Sequence, residues 1–176
     1  MKQTVMQKCA VAFLALLFAG CNYDAPLVGE ATLPVDSALL GVWATTPDGA
    51  KPSEEPLEAL VLQFTNNEYV IHYPRQRENT LYFRGYGVEI AGATYLQTQL
   101  IGSEKGPVKV SDRKYDLITY SLKGDVLEVA LLNPEVVSKK AKKSEALLKA
   151  FLAKADHPGR FGKSVRFHRL PERSGE

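Results

Sequence analysis

The 176 residues, 45% hydrophobic and 24% charged, have the composition of one globular domain with a short appendage, which excludes a disordered chain, a collagen and a multi-span membrane protein. Lys2 and Lys8 account for the formal surplus of +2, so beyond residue 20 acids and bases balance. Without a cationic surplus to meet a phosphate backbone, no nucleic-acid partner is expected.

The chain opens with a positive stretch carrying Lys2 and Lys8, then an uncharged apolar run from Ala10 to Ala19. This is the grammar of a cleaved secretory signal over residues 1–20, and the run falls short of the roughly 20 apolar residues that span a bilayer. It ends in Phe18-Ala19-Gly20-Cys21, which resembles the lipobox of bacterial lipoproteins. The resemblance implies that Cys21 becomes the mature N-terminus, with diacylglycerol on its thiol and a fatty acyl chain on its amine. Each buried methylene is worth about 0.8 kcal/mol, so two or three chains anchor a protein to a membrane without a spanning segment. Asn22 stands where Asp tends to retain such proteins at the inner membrane, so the resemblance favours the periplasmic face of the outer membrane in a diderm. With Cys9 removed and Cys21 blocked as a thioether, no thiol is left for a disulfide, a nucleophile or a metal site.

Residues 21–37, with Pro26, Gly29 and Pro34 and no periodic apolar pattern, read as the lipidated N-terminus and a flexible tether. From Ala38 short β-branched and aromatic runs alternate with turn residues. The expected strands are Leu39–Thr46, Leu60–Phe64, Tyr69–Tyr73, Leu81–Ile90, Thr94–Ile101, Tyr115–Leu122, Val126–Leu132 and Ser164–Leu170. Three hairpins are expected, around Thr65-Asn66-Asn67-Glu68, Ala91-Gly92-Ala93 and Lys123-Gly124-Asp125. Between the last two strands, Ser144 is placed to cap an amphipathic helix through Ala155, its apolar face formed by Leu148, Phe151, Leu152 and Ala155. Residues 171–176 read as a disordered tail.

The expected fold is all-β with one α-helix: an eight-stranded antiparallel barrel over residues 38–170, the helix inserted before the last strand. Closure removes the edges that an open meander would expose. Gly41-Val42-Trp43 on the first strand resembles the Gly-X-Trp motif of lipocalins. The resemblance implies a lipocalin-like barrel in which Trp43 closes the floor against an arginine of the last strand, either Arg166 or Arg169. The other reading of Trp43 is a plain core aromatic.

No nucleophile with an evident base, phosphate loop or zinc-protease motif is present, so neither an enzyme nor a cofactor is expected. His72, His157 and His168 fall on separate elements, and no metal site is expected from them. Glu54, Glu55, Glu58 and Glu68 read as solvated charges. Lys139, Lys140, Lys142 and Lys143 form a basic cluster that either faces anionic head groups or is a solvated run into the helix. The strand Leu81–Ile90 carries Gly85 and Gly87 on the same side as Phe83. If that side points inward, Phe83, Gly85 and Gly87 line a cavity with Tyr95, Gln97 and Gln99 of the next strand, suited to a small amphipathic ligand. Alternatively the glycines are corners of a filled barrel, and the protein is a structural or protein-interaction lipoprotein whose partner is another envelope protein.

Overall fold

The computed structural model describes residues 23–46, 55–75 and 80–171. The leader and Cys21, most of the first long loop and the end of the tail lie outside the described residues.

The strands are β1 (Gly41–Thr45), β2 (Leu57–Thr65), β3 (Glu68–Tyr73), β4 (Leu81–Ile90), β5 (Ala93–Ser103), β6 (Gly106–Pro107), β7 (Tyr115–Lys123), β8 (Val126–Leu131) and β9 (Val165–Arg169), with helix α1 (Ser144–Leu152) between β8 and β9. Each long strand pairs antiparallel with its neighbours, β4 with β5 and β9 with β1, so eight strands close a lipocalin-like barrel. The short β6 only folds back on the end of β5. At one end, the hairpin end, lie the β2–β3, β4–β5 and β7–β8 turns, the start of β1 and the end of β9. The longer connections and α1 gather at the other. Among the described residues no helix is long and apolar enough to cross a membrane.

Alternation along the strands separates two apolar cores. One fills the barrel, with Trp43, Ala59, Val61, Tyr69, Leu127 and Phe167. The other lies outside it, where Tyr86, Val88, Tyr95 and Leu117 on the outer face of β4, β5 and β7 are covered by α1 and by the segment before β1. That outer sheet face therefore carries an apolar core of its own, as expected for a sheet covered on both sides.

The face that the helix turns to the barrel overlaps the expected one only in part, sharing Phe151 and half-buried Leu148. Leu147 and Phe151, one helical turn apart, are buried, whereas Leu152 is 43% exposed and Ala155 lies in the turns beyond the helix. Ser144 is the first helical residue, and the capping position is Lys143, which makes no side-chain cap. An aromatic cluster sets this orientation: Phe151 meets Tyr95 edge-on at 5.5 Å, and Phe161 stacks on Tyr95 at 5.8 Å.

The segment expected to be a free tether is, from Tyr23 onward, bound to the barrel. Tyr23 exchanges both backbone hydrogen bonds with Tyr115, at 2.8 and 2.9 Å, and its hydroxyl donates to the Val137 carbonyl. Tyr23, Ala25 and Leu27 are buried at alternate positions, and the Leu27 amide donates to Gln97 Oε1 at 2.9 Å. The strap then crosses the hairpin end, where Asn67 donates to the Ala31 carbonyl, Val35 to Asn66 and the Asp36 amide to the Tyr69 hydroxyl. Seven ordered backbone and side-chain hydrogen bonds of this kind are what a solvated linker lacks.

Candidate functional site

The floor of the barrel is built from the first and last strands. Trp43, wholly buried, donates from its indole Nε1 to the Leu39 carbonyl at 2.9 Å. The Arg169 guanidinium lies over the indole, 4.2 Å from its ring centroid, and donates to the carbonyls of Leu40 and Ala38. Of the two candidate arginines, Arg169 takes this position, while Arg166 points outward to Glu128 at 2.7 Å. Gly41 follows from the same geometry. Its φ of +118° suits only glycine, and a Cβ there would stand 3.1 Å from Arg169 Nη1. The 3₁₀ turn Ser37–Leu39 and buried Leu39 complete the floor.

Above the floor, among the described residues, a cavity of about 40 Å³ lies in the barrel, bounded by Leu39, Val61, Tyr69, Ile71, Leu96, Tyr120, Leu127 and Val129. Burial raises the hydroxyl pKa of both Tyr69 and Tyr120, so both stay neutral at physiological pH. None of the six residues expected to line a ligand cavity borders this space.

The glycine-bearing side of β4 does face inward: a Cβ on Gly85 would meet Ile71, Leu96 and Thr98 at 3.4 to 3.6 Å, and one on Gly87 would meet Leu33 of the strap at 3.3 Å. Tyr95, Gln97 and Gln99 do not face the same space. They pair with Val88, Tyr86 and Arg84 on the outer side, and Leu96 and Thr98 stand opposite Gly87 and Gly85. The cause is the length of the turn. A three-residue loop at Ala91-Gly92-Ala93 would oppose Gly87 to Gln97. The actual turn has two residues, Ala91 at φ 53° and Gly92 at φ 75°, both left-handed as in type I′ hairpins, with Ile90 paired to Ala93. One residue of register moves every β5 side chain to the other face. Gln97 has a structural task there, holding the Leu27 amide and donating to the Asp116 carbonyl at 2.7 Å.

Sequence reasoning missed Asp116. It sits on the inward side of β7 towards the connection end, opposite Thr98, and is 4% exposed. Its Oδ1 has no hydrogen-bond partner among the described residues. Burial pushes its carboxyl well above the ordinary range, against a weaker pull from Lys139. A lone Asp on a strand carries no signal of this beyond its in-phase position with Ile118 and Tyr120.

Among the described residues no cluster of three or more metal-ligating side chains occurs. His72 stacks on Tyr82 at 4.6 Å, and burial lowers its pKa. His157 accepts from the Gly159 amide in the turn after α1. His168 pairs with Ala44 across the seam.

Two outer surfaces remain. On β2, Leu62 and Phe64 are 50% and 63% exposed on one face, beside half-buried Leu60, Val42 and Val70. Around the strap's first residues, Asp24 forms ion pairs with Lys114 and Lys142, which hold its carboxyl pKa down to about 2. Lys139, Lys140 and Lys143 stand exposed beside that site, and Lys139, Lys140 and Lys142 line a shallow open groove with Pro134 and Ser138. Compared with known proteins, the chain matches no family model, no curated protein and no solved structure.

Proposed function

We propose that the protein is a lipoprotein of the cell envelope, anchored through acyl chains on Cys21 and facing the periplasm from the outer membrane in a diderm, which acts by contacting another envelope protein with the outer surface of a filled barrel. The observation that carries this reading is the small size, about 40 Å³, of the cavity that the described residues enclose in the barrel. Pockets for small molecules run to about 300–1,000 Å³, so a lipid or other amphiphile needs several times the space present. The Leu62–Phe64 face of β2 supports the choice of contact surface, because large apolar side chains side by side on an outer sheet face are what a protein partner desolvates.

The test uses the full chain in its own envelope. A photo-crosslinking residue at Phe64 should give one discrete protein adduct that Leu62→Asp removes, and the same residue at Lys123 should give none. Native mass spectrometry of the purified chain should show acyl mass at Cys21 and no retained small molecule. A stoichiometric ligand released by Gly85→Leu would replace this reading with a binding module for a small amphipathic molecule, and equal crosslinking from positions 64 and 123 would remove the β2 face from it.

A further inference from the structure

We infer that the lysine-rich turn Lys139–Lys143 rests against anionic phospholipid head groups and fixes the barrel on the membrane with its connection end down. The inference deepens the anchoring reading above and rests on it. It starts from the shortness of the leash. Tyr23 is 1% exposed and pinned to Tyr115 and Val137, so only Asn22 separates the fixed backbone from Cys21. Two peptide steps reach about 7 Å, less than the width of one helix. Acyl chains on Cys21 therefore hold the surface around Tyr23 at the head groups.

The charge of that surface then decides how it sits. Between Pro134 and Glu145 the chain carries four lysines and two glutamates. Lys142 and Lys114 are engaged by Asp24, whose carboxylate remains ionised at every physiological pH. Lys140 and Lys143 are exposed one or two residues along the chain from Lys142, and Lys139 and Lys140 line a shallow groove with it. Tyr23 is tied directly to this turn, because its hydroxyl donates to Val137, two residues before Lys139. Each lysine close to an anionic leaflet adds to attachment, and the effect fades within a Debye length of about 8 Å, a distance the leash does not exceed. A single short anchor without such charges would let the barrel roll about the leash. With them, one side is chosen. The Leu62–Phe64 face, on β2 towards the hairpin end, is then carried away from the bilayer.

The test is lysine acetylation of the full lipidated chain, read residue by residue by mass spectrometry. The chain is held in detergent micelles, in vesicles of phosphatidylglycerol and phosphatidylethanolamine, or in vesicles of phosphatidylcholine. Lys123, exposed at the last position of β7 at the hairpin end, is the internal reference. Lys139, Lys140 and Lys143 should react several-fold more slowly on the phosphatidylglycerol vesicles than in micelles, with Lys123 unchanged. A long Gly-Ser insertion between Asn22 and Tyr23, or the pair Lys140→Glu and Lys143→Glu read at Lys139, should abolish that protection while flotation with the vesicles persists. If the chain floats but the turn and Lys123 react alike, the orientation is wrong and the anchoring stands. Equal protection on phosphatidylcholine would overturn the role of anionic head groups. A chain that carries no acyl mass and does not float overturns the anchoring reading, and this inference with it.

Discussion

Arg169→Ala should destabilise the barrel by about 3 kcal/mol, because one side chain holds the floor in three ways. The guanidinium over Trp43 at 4.2 Å is worth about 1 kcal/mol in a setting where the side chain is 30% exposed. Its hydrogen bonds to the Leu40 and Ala38 carbonyls are charge-assisted and contribute about 1 kcal/mol each after partial solvent screening. The contact with Asp125 at 3.5 Å adds almost nothing, since Asp125 is 81% exposed. Trp43 is the sole tryptophan, so its fluorescence in urea reports both the loss of stability and the change at its own ring. For a chain of this size the expected fall in Tm is roughly 6–12 °C. Arg169→Lys should recover only part of this, because an ammonium cannot lie flat on the indole while bridging two carbonyls. Arg166→Ala, which removes an exposed pair with Glu128, should cost at most about 0.5 kcal/mol. An Arg169→Ala chain within about 0.5 kcal/mol of the parent, or an Arg169→Lys chain equal to it, would refute the account of the floor.

Tyr23→Phe should cost about 1–2 kcal/mol in urea unfolding, since it strands the Val137 carbonyl where the strap meets the barrel; no change would mean that the strap is not part of the cooperative unit. Gly87→Leu should lower stability by about 1–3 kcal/mol by displacing Leu33, whereas Gly85→Ala, whose methyl meets ordinary contacts, should stay near the parent value in the same assay. Asp116 gives a pH dependence of definite sign. Its folded-state pKa is raised above the ordinary 3.8, so the folded chain binds more protons than the unfolded one, and stability falls as pH rises from about 4 towards the folded value. Asp116→Asn should remove that slope and raise stability at neutral pH; urea titrations at several pH values check it, and an unchanged slope would assign the dependence elsewhere.

Much of the barrel was legible because its strands are half-buried on a period of two. Leu127, Val129 and Leu131 announce a face, and Gly124 and Asn66 mark where the chain reverses. Trp43 and its glycine could be read as a floor motif, yet the choice between Arg166 and Arg169 depended on which side of β9 meets Trp43, a matter of register at the seam. Turn length was decisive for the cavity. Nothing in the composition of Ala91-Gly92-Ala93 separates a two-residue from a three-residue reversal, and non-glycine φ values above zero are uncommon enough to weigh against Ala91 as a turn centre. The strap did carry a signal, since Tyr23, Ala25 and Leu27 alternate like a strand, but Pro26 and Pro34 hid it. Helix α1 was visible and its orientation was not, because Leu147, Leu148, Phe151 and Leu152 offer two overlapping stripes, and the aromatic partner that chooses between them, Tyr95, lies far away in sequence.

The seam between β1 and β9 also sets a timetable. The strands that close the ring belong to opposite ends of the chain, and the bond from Arg169 to Leu40 joins positions 129 residues apart. Contacts so distant in sequence repay their entropy late, which slows folding. During synthesis from the N-terminus the preceding strands can pair as a meander, but the ring has no closing strand until β9 has emerged. Until then β1 and β8 present raw edges and Trp43 has no lid. A truncation that removes only β9 would therefore leave a sticky, unfinished sheet rather than a slightly shorter barrel.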